Sequence, residues 1–455
     1  MVAMRSADMP KVMLVIVLVG SAVAAQPERE LDQLVSRYSA FGFRGTVLVA
    51  KKGKPILEKG FGVADPRSGR PNDARTLFEI ASITKQITAA AIMLLEQDGK
   101  LKVEDSIADH LPGVLSHSRK ITIHHLLTHT SGVPGGNTDG RGDDLERAVV
   151  AYLGDGPQRA LGDKWEYWNG GYALLAGIVE RVGEMTFMEY CRKRLFTPAG
   201  MKSTGFTGSG KLDKGRAAFN ERRSAIDHPY GSYGWQYRGM GGVVTTVGDL
   251  LKWDRALSGD AVLGADARNK LFQPHATARY RRNYGYGWFV GRAPDGSAMA
   301  QHGGGVRGFR SDFRRYPKLG GCIAILSNGD GSALPYIAEN LECVLFGNKP
   351  RHTLPPQTIM MSPKKLKPFV GTYRTGSGDA VVVAPAASGL QVEVRGPLAA
   401  KLSGDSRTVE ASFLVMPAGN NRFTAWSWRR TLPLEFVRKG EKVSALKVIG
   451  LRLTR

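Results

Sequence analysis

The spacing of apolar residues changes several times along the chain, and each change predicts a different kind of element. Two alternating runs, Thr46–Ala50 and Pro55–Gly62, flank a Lys-Lys-Gly-Lys turn and predict a β-hairpin. A helical spacing then begins and stops at Gly99, a typical helix end. The apolar residues that carry this spacing are Ile83, Ile87, Ala91, Leu94 and Leu95.

Residues 101–275 are expected to be mostly helical with glycine-rich loops, and include the helices Ala173–Val182 and Leu250–Leu257. A strand spacing then returns before a last helical pattern over Leu334–Phe346. The predicted late strands are Gly287–Val290, Phe309–Arg315 and Cys322–Ser327. We therefore predict an α+β fold, in which the first hairpin and the late strands form an antiparallel sheet flanked by helices, with a helical insert between them.

The last fifth of the chain has a different character. Residues 347–362 are rich in proline and lack apolar periodicity, which predicts a linker after a domain of residues 26–346. Residues 363–455 then predict a small all-β barrel domain of antiparallel strands. Its strand-like runs are Val381–Val383, Leu390–Val394, Phe413–Met416 and Val443–Leu453.

The N-terminus has the layout of a secretory signal peptide. Arg5 and Lys11 accompany the apolar run Val12–Val19, and Val23-Ala24-Ala25 is typical of a cleavage site, so residues 1–25 are expected to be removed. The apolar run is much shorter than the roughly 20 residues that span a bilayer. We therefore expect a periplasmic or secreted protein without a membrane span.

Export would permit disulfides, but the chain has only three cysteines, Cys191, Cys322 and Cys343. An odd number leaves at least one thiol free. Cys322 and Cys343 could form one bridge, but buried thiols at all three positions are the favoured interpretation.

Positive charge is concentrated in the predicted barrel. The whole chain has 63 Lys and Arg against 41 Asp and Glu, a net charge of +22. Residues 363–455 have 16 against 6, a net charge of +10. The export signal and the lack of an aromatic–basic motif argue against a nucleic-acid partner. An acidic polymer of the cell envelope is a partner that this charge would fit.

The first candidate for chemistry is the pair Ser82 and Lys85. Residues three apart share one face of a helix, which brings the lysine amine within reach of the serine hydroxyl. A serine is a weak nucleophile that needs a nearby base, and a desolvated lysine can supply it. A helix start followed by a solvated lysine is the alternative. The same pattern recurs as Ser362-Pro363-Lys364-Lys365, but in the linker, where nothing would desolvate the amine.

Two further motifs add to this pair. Tyr167-Trp168-Asn169 lies in an aromatic, glycine-flanked loop before a helix, although Tyr167 could simply pack at the edge of the core. His302-Gly303-Gly304-Gly305 falls at a late strand edge, where the missing side chains would let a substrate lie along the backbone. A tight turn is the alternative for this run.

Together, SITK, YWN and HGGG resemble the three active-site motifs of serine β-lactamases and penicillin-binding proteins. The resemblance is nearest to the branch of class C β-lactamases, D-aminopeptidases and esterases, and it covers roughly residues 35–345. The segments FEIASITKQITAAAIMLLEQDGKL, ITIHHLLTHTSGVP and GGVVTTVGDLLKW support it. From Phe369-Val370-Gly371-Thr372-Tyr373 onward, the chain resembles the lipocalin-like β-domains of some members.

This resemblance implies a β-lactamase/transpeptidase-like fold and an acyl-enzyme mechanism that needs no metal or other cofactor. Ser82 would be the nucleophile, Lys85 its proton acceptor and Tyr167 a proton relay to the leaving group. The backbone N–H groups of Ser82 and Gly305 would form the oxyanion hole. The residues that would bind the substrate, a small molecule or a cell-wall peptide, are Asn169, His302, Gly303, Gly304 and Gly305.

One departure from the family pattern concerns the substrate. β-Lactamases and carboxypeptidases of this superfamily usually have a lysine where His302 stands, and that lysine meets the substrate carboxylate. We therefore favour hydrolysis of a peptide-like, D-amino-acid-containing amide or of an ester. The alternatives are a β-lactamase, a D-Ala-D-Ala carboxypeptidase, or a non-catalytic cell-wall binding protein. Arg307 or Arg310 could replace the missing cation, or each could be a surface charge.

Three other motifs lack the neighbouring residues or elements that their usual functions require. His124, His125 and His129 could suggest zinc, but the HExxH glutamate is missing and no acidic ligand is close by in the sequence. A G-x-G-x-x-G pattern at Gly303–Gly308 leads into a strand and not into the helix that a dinucleotide site requires. HGGG also occurs in α/β-hydrolases, but the chain contains no G-x-S-x-G.

Overall fold

The computed structural model of the chain describes residues 27–135, 142–220, 223–229, 233–329, 331–386, 389–403, 405–427 and 430–455. The predicted signal peptide, residues 1–25, lies outside the described residues. In the described ranges, no helix is both long and apolar enough to cross a bilayer.

Helices occur along most of the chain, before and after the linker. They are residues 27–40 (α1), Thr84–Gln97 (α2), Ile123–Leu127 (α3), Leu145–Leu153 (α4), Asn169–Gly183 (α5), Phe187–Tyr190 (α6), Val247–Ala256 (α7), Ala265–Phe272 (α8), Leu334–Leu345 (α9), Pro363–Leu366 (α10) and Pro397–Ser403 (α11).

The strands before the linker are Gly45–Lys51 (β1), Lys54–Phe61 (β2), Val63–Asp65 (β3), Arg70–Pro71 (β4), Phe78–Glu79 (β5), Gly205–Phe206 (β6), Val243–Thr245 (β7), Ala276–Thr277 (β8), Asn283–Tyr284 (β9), Phe289–Arg292 (β10), Ala298–Val306 (β11), Phe309–Tyr316 (β12) and Gly321–Ser327 (β13). The strands after it are Gly371–Arg374 (β14), Ala380–Pro385 (β15), Leu390–Arg395 (β16), Glu410–Pro417 (β17), Arg422–Ser427 (β18), Arg430–Lys439 (β19), Lys442–Val448 (β20) and Leu451–Thr454 (β21).

The predicted α+β architecture is confirmed. Among the described residues, eight strands form an antiparallel sheet in the order β2-β1-β13-β12-β11-β10-β9-β8. The first hairpin therefore pairs with the last strand before the linker, with Gly45 opposite Ser327. Residues between them supply the helical insert. Parts of that insert are irregular or form the short strands β6 and β7, so the expectation of mostly helical structure over residues 101–275 was too simple.

Helix α2 is the centre of the larger hydrophobic core. Every residue from Thr84 to Leu95 is buried, which is the pattern of a helix surrounded on all sides by protein. The helix ends where Gly99 takes a φ of +70°, a left-handed conformation that glycine adopts without steric cost. On the other face of the sheet, α1 and α9 cover a second apolar layer that contains Ile323 and Ile325.

The C-terminal strands β14 to β21 form a closed antiparallel barrel, as the sequence predicted. Buried and exposed residues alternate along β15 and β16, so one face of each strand points to the barrel interior. The interior holds an aromatic cluster whose ring centroids are 4.9–5.6 Å apart, formed by Phe369, Tyr373, Phe423 and Phe436. Side chains fill this part of the barrel, which is usual for eight strands.

The linker packs along the first domain. His352 contacts Glu339 and Asn340 of α9, and Arg37 of α1 donates a hydrogen bond to the carbonyl of Pro355. Trp426 of the barrel lies edge-on to Tyr38 at a ring distance of 5.3 Å. Cys191, Cys322 and Cys343 are buried free thiols, so the bridge between the last two does not form.

Candidate active site

Ser82 lies in a turn that leads directly into α2. The turn is a 3-10 segment, Ala81–Ile83, and Ala81 has a φ of +47°. For an alanine, this left-handed conformation costs about 1–2 kcal/mol. The packing of the buried helix behind the turn maintains the strain, and Ser82 itself remains partly exposed. A partly exposed hydroxyl on a rigid turn is suitable for a nucleophile.

Lys85 is completely buried, and its amine has three oxygen neighbours. Its Nζ lies 2.8 Å from Asn169 Oδ1, 3.1 Å from the carbonyl oxygen of Met240 and 3.3 Å from Ser82 Oγ. The prediction that one helical turn would bring the serine and lysine together is therefore correct. Burial holds the pKa of Lys85 well below its ordinary value, which favours the neutral amine.

The neighbours of the neutral amine determine the direction of its third hydrogen bond. A neutral amine has two protons and one lone pair. The Asn169 and Met240 oxygens belong to carbonyl groups and can only accept, so they take the two protons. The hydroxyl of Ser82 is the only neighbour of the three that can donate. The lone pair of Lys85 therefore faces the proton of Ser82, which is the arrangement that a general base requires.

Tyr167 and Asn169 reach this pair from the start of α5. Asn169 is the first residue of the helix, and Tyr167 lies two residues before it. The Tyr167 hydroxyl forms a hydrogen bond with Ser82, and its ring lies 4.8 Å from the Lys85 amine. Burial raises the pKa of Tyr167 far above its ordinary value, and the bond with Ser82 offsets only part of this effect. Tyr167 is therefore a protonated phenol that can donate a proton.

His302 lies on β11 behind Tyr167, with a ring distance of 6.3 Å. Its Nδ1 donates to the carbonyl of Gly303 at 2.6 Å, and its Nε2 lies 3.4 Å from the Tyr284 hydroxyl. Burial, with a smaller effect of Lys85, lowers the pKa of His302 to about 3. The ring is neutral at any ordinary pH, so this position carries no positive charge.

Gly303–Gly305, which follow His302, bring β11 against the turn Ala81–Ile83 that carries Ser82, called the nucleophile turn below. A Cβ on Gly304 would lie 2.2 Å from the carbonyl oxygen of Ile80, two residues before Ser82. Ser311 Oγ donates to the same carbonyl at 2.9 Å, which ties β12 to the turn as well. Only glycine allows this close approach.

One edge of β11 is open beside the turn. Strand β10 pairs with β11 only from Ala298 to Gln301, and residues 302–306 pair only with β12 within the described part of the chain. An extended acyl chain can therefore lie along Gly303–Gly305 as an added strand. The sequence predicted this role for the glycine run from its missing side chains.

The structure separates the second serine–lysine pattern from the site. Ser362 and Lys365 are exposed at the start of α10, as expected for a solvated linker. Arg310 donates to the carbonyl oxygens of Val306 and Phe309. Arg307 donates to the carbonyl of Pro229.

Two functional groups were missed from the sequence. Met240 contributes only its carbonyl oxygen to Lys85, and the identity of a side chain gives no signal for such a contact. His129 was considered only as a metal ligand, but it lies against Tyr167 with a ring distance of 4.5 Å. The THTSG segment around His129 was the available signal.

The three histidines considered for zinc have other partners. His124 Nδ1 contacts the Tyr286 hydroxyl, His125 Nδ1 accepts from the Thr122 N–H, and His129 Nδ1 accepts from the Trp168 N–H. Among the residues that the structure describes, no group of three or more His, Cys, Asp or Glu side chains could hold a metal ion.

Comparison with known proteins agrees with this geometry. A family model described as Beta-lactamase matches residues 31–342. Penicillin-binding protein 4* of Bacillus subtilis (strain 168) is 29% identical over 410 residues, which cover 80% of this chain and 87% of the relative.

Two solved structures extend the comparison. A penicillin-binding protein from Bacillus halodurans is 27% identical, with a TM-score of 0.55, over 65% of this chain and 95% of that chain. The octameric penicillin-binding protein homologue from Pyrococcus abyssi is 24% identical, with a TM-score of 0.63, over 94% and 99% of the two chains, and shows a shared fold. With a matching family model over well more than half of its length, the chain belongs to the Beta-lactamase family.

Proposed function

We propose that this protein is an exported serine hydrolase that forms an acyl-enzyme on Ser82 and cleaves an ester or a peptide-like amide containing D-amino acids. The observation that carries this proposal is the buried amine of Lys85, whose Nζ lies 3.3 Å from Ser82 Oγ. The names of the relatives, which are penicillin-binding proteins, support a substrate from the cell wall.

The proposed acylation begins when Ser82 Oγ attacks the carbonyl carbon and its proton moves to Lys85 Nζ. The carbonyl oxygen becomes an oxyanion, for which the N–H groups of Ser82 and Gly305 are the proposed donors; such a donor is typically worth about 3–4 kcal/mol. The bond to the leaving group then breaks, and Tyr167 passes a proton to the departing nitrogen or oxygen. Lys85 returns its proton to Tyr167.

Deacylation uses the same groups, with water as the nucleophile and Ser82 as the leaving group. A water passes its proton through the Tyr167 hydroxyl to Lys85 Nζ as its oxygen attacks the acyl carbon, and Lys85 then returns a proton to Ser82 Oγ as that oxygen leaves. Asn169 holds the Lys85 amine through its Oδ1 during both steps.

The neutral ring of His302 narrows the substrate class. Its pKa of about 3 means that it offers no positive charge to a substrate carboxylate. Aromatic rings of Tyr167, Tyr284 and Phe289 lie 5.4–6.3 Å from it. The Arg282 guanidinium lies over the Phe289 ring, 4.3 Å from its centroid, but position 302 itself supplies no cation for a substrate carboxylate. We therefore favour esters and aminoacyl amides over penicillins and D-Ala-D-Ala peptides.

The proposed partner of the barrel is an acidic envelope polymer. Arg422, Lys447 and Arg452, together with Glu435, line a groove of about 670 Å³ in this part of the chain. Lys447 lies directly opposite Arg452 on one neighbouring strand and opposite Glu435 on the other, and forms an ion pair with Glu435 at 3.8 Å. The groove has three basic side chains and one acidic side chain, so its net positive charge would attract a polyanion.

The test of the hydrolase proposal is a substrate panel with the mature chain, residues 26–455. We expect turnover of p-nitrophenyl esters and D-aminoacyl amides, with weaker turnover of D-Ala-D-Ala peptides and a chromogenic cephalosporin. The Ser82→Ala variant should be inactive, whereas Ser362→Ala should match the wild type. A wild-type preference for the carboxylate-bearing substrates would contradict the substrate class, and failure on every substrate would contradict the activity.

A further inference from the structure

His129 adopts a left-handed backbone conformation, which is uncommon for residues other than glycine. It follows α3 in the THTSG segment, and its φ is +59°. Left-handed backbone costs a residue with a Cβ about 1–2 kcal/mol; glycine adopts it most readily, followed by asparagine, aspartate and histidine. The side chain is also 2% exposed, so an aromatic ring is held in a strained, buried position.

Three contacts of His129 fall on consecutive residues of the loop before α5, and its ring also lies 5.1–5.7 Å from the rings of Trp165, Tyr172 and Tyr284. Its carbonyl oxygen accepts the N–H of Glu166 at 2.8 Å, and its Nδ1 accepts the N–H of Trp168 at 3.1 Å. Between these two bonds, its ring lies 4.5 Å from the ring of Tyr167 at an interplanar angle of 37°. The residue therefore holds Tyr167 from both sides along the backbone and from one face of the ring.

The protonation of the ring follows from these bonds. Because Nδ1 accepts a hydrogen bond, it has no proton, and the neutral ring carries its proton on Nε2. This Nε2 is buried and has no hydrogen-bond partner among the described residues. Burial and the nearby Lys85 hold the pKa of His129 well below its ordinary value, so the ring stays neutral. An unpaired buried N–H costs about 1–3 kcal/mol, a second cost that the fold accepts at this residue.

We propose that His129 is a positioning residue that fixes the Tyr167 hydroxyl against Ser82. This inference rests on the proposed function, because Tyr167 is the proposed proton donor to the leaving group. The same loop continues into Asn169, so the contact also orients the partner of Lys85. Without the His129 ring, the segment 166–168 loses one backbone hydrogen bond and the surface on which Tyr167 rests.

Two substitutions separate the acceptor of His129 from its backbone conformation. His129→Gly keeps the left-handed backbone but removes the acceptor and the ring. His129→Asn also tolerates this backbone, and its Oδ1 occupies nearly the place of Nδ1, so it can accept the Trp168 N–H. His125→Ala is the matched control, because His125 Nδ1 also accepts a backbone N–H, that of Thr122, at 3.1 Å. That bond lies in the cap of α3 and does not touch the Tyr167 loop.

The experiment measures kcat and KM on an amide and on the p-nitrophenyl ester of the same acyl group. A p-nitrophenolate leaves without a proton, whereas an amide nitrogen must receive one. We expect His129→Gly to lower kcat/KM on the amide by about 10²-fold, the effect of a misplacement of about 1 Å. The loss of kcat/KM on the ester should be much smaller, because kcat/KM reports acylation and excludes the deacylation step that both substrates share. KM should change little, His129→Asn should recover at least about a tenth of the lost activity, and His125→Ala should retain the wild-type ratio of amide to ester turnover.

Crystal structures of the wild type and the His129→Gly variant give a readout that does not depend on activity. The expected result is a Tyr167 hydroxyl that has moved away from Ser82 Oγ in the variant. An unmoved Tyr167, an equal loss on amide and ester, or an Asn variant no better than the Gly variant would overturn the proposal. If the wild type hydrolyses nothing, the proposed function fails, but the position of Tyr167 in the two structures still decides the role of His129.

Discussion

At the scale of single residues, the site depends on what burial does to two protonation states. A completely buried lysine favours its neutral form, and a buried tyrosine favours its protonated form. Lys85 therefore has a free lone pair and Tyr167 retains a proton. Placed on either side of Ser82, one group can remove a proton and the other can supply one. His302 and His129 are also neutral, so they add no cation to this pocket.

The first prediction concerns Tyr167. Tyr167→Phe removes the hydroxyl that bonds to Ser82 and keeps the ring. We expect kcat on an amide to fall by about 10²–10⁴, the usual contribution of a positioned acid–base group, with little change in KM. Steady-state kinetics measure both constants. An unchanged kcat would show that Tyr167 only packs against its neighbours.

The second prediction concerns the acid side of the pH profile. Only the neutral amine of Lys85 can accept the Ser82 proton, so activity is present above the pKa of Lys85 and is lost as the pH falls through it. Because burial lowers that pKa, the loss should occur well below 10.5, the ordinary value for lysine. The pKa of His302, about 3, lies too low to produce this limb. The measurement is kcat/KM against pH, and a rate that is still rising through pH 10.5 would contradict a desolvated lysine.

At the scale of elements, the sequence predicted those pieces whose apolar spacing is regular. The first hairpin, α2, β12, β13 and α9 lie within one or two residues of their expected limits. Val443–Leu453 was expected as one strand, but it is two strands joined by a turn in which Gly450 has a φ of +76°. β14, β18 and β19 were not predicted, because glycine, arginine and proline interrupt their alternation.

The candidate site was also predicted only in part from the sequence. The motif residues could be found from the sequence because their chemistry depends on their side chains. The Met240 carbonyl acts through the backbone and gives no such signal. The role proposed for His129 depends on hydrogen bonds to Glu166 and Trp168. The first of these residues lies 37 positions further along the chain. Local patterns do not reveal such a contact.

The third prediction concerns the contact between β11 and the nucleophile turn. In Gly304→Ala, the new Cβ would lie 2.2 Å from the Ile80 carbonyl oxygen, so the strand or the turn must move. We expect kcat/KM to fall by about 10²-fold or more, because a shift of about 1 Å is enough for this loss. The control is Gly291→Ala on β10, where a Cβ has nothing within 4 Å and full activity is expected. Wild-type activity in Gly304→Ala would mean that the contact does not position the site.

At the scale of the whole molecule, a positively charged barrel is held against the domain that matches the Beta-lactamase family. The two parts have separate hydrophobic cores, one with α2 at its centre and one inside the barrel. Trp426, against Tyr38, and the packed linker connect them. Residues 363–455 carry a net charge of +10 out of +22. This distribution supports a division of labour, in which one part performs chemistry and the other binds an acidic surface.

The fourth prediction tests that division. The double substitution Lys447→Glu and Arg452→Glu reverses two charges in the barrel groove. We expect the variant to lose sedimentation with acidic cell-wall polymer at low salt and to keep the wild-type kcat on soluble esters. Wild-type binding should itself weaken with salt, because the Debye length is only about 8 Å at 0.15 M ionic strength. The control, Lys100→Glu with Lys102→Glu, changes the net charge equally on exposed residues of the other domain. Equal loss in both variants would show that only total charge matters.

The central claim is that Ser82 becomes acylated, and the most direct measurement is mass spectrometry of the mature chain after reaction with a fluorophosphonate. The account predicts one adduct per chain, located on the peptide that contains Ser82. The adduct should be absent from Ser82→Ala and present in Ser362→Ala, whose serine is exposed at the start of α10 beside a solvated lysine. An unlabelled wild type, or an adduct that persists in Ser82→Ala, would contradict the account.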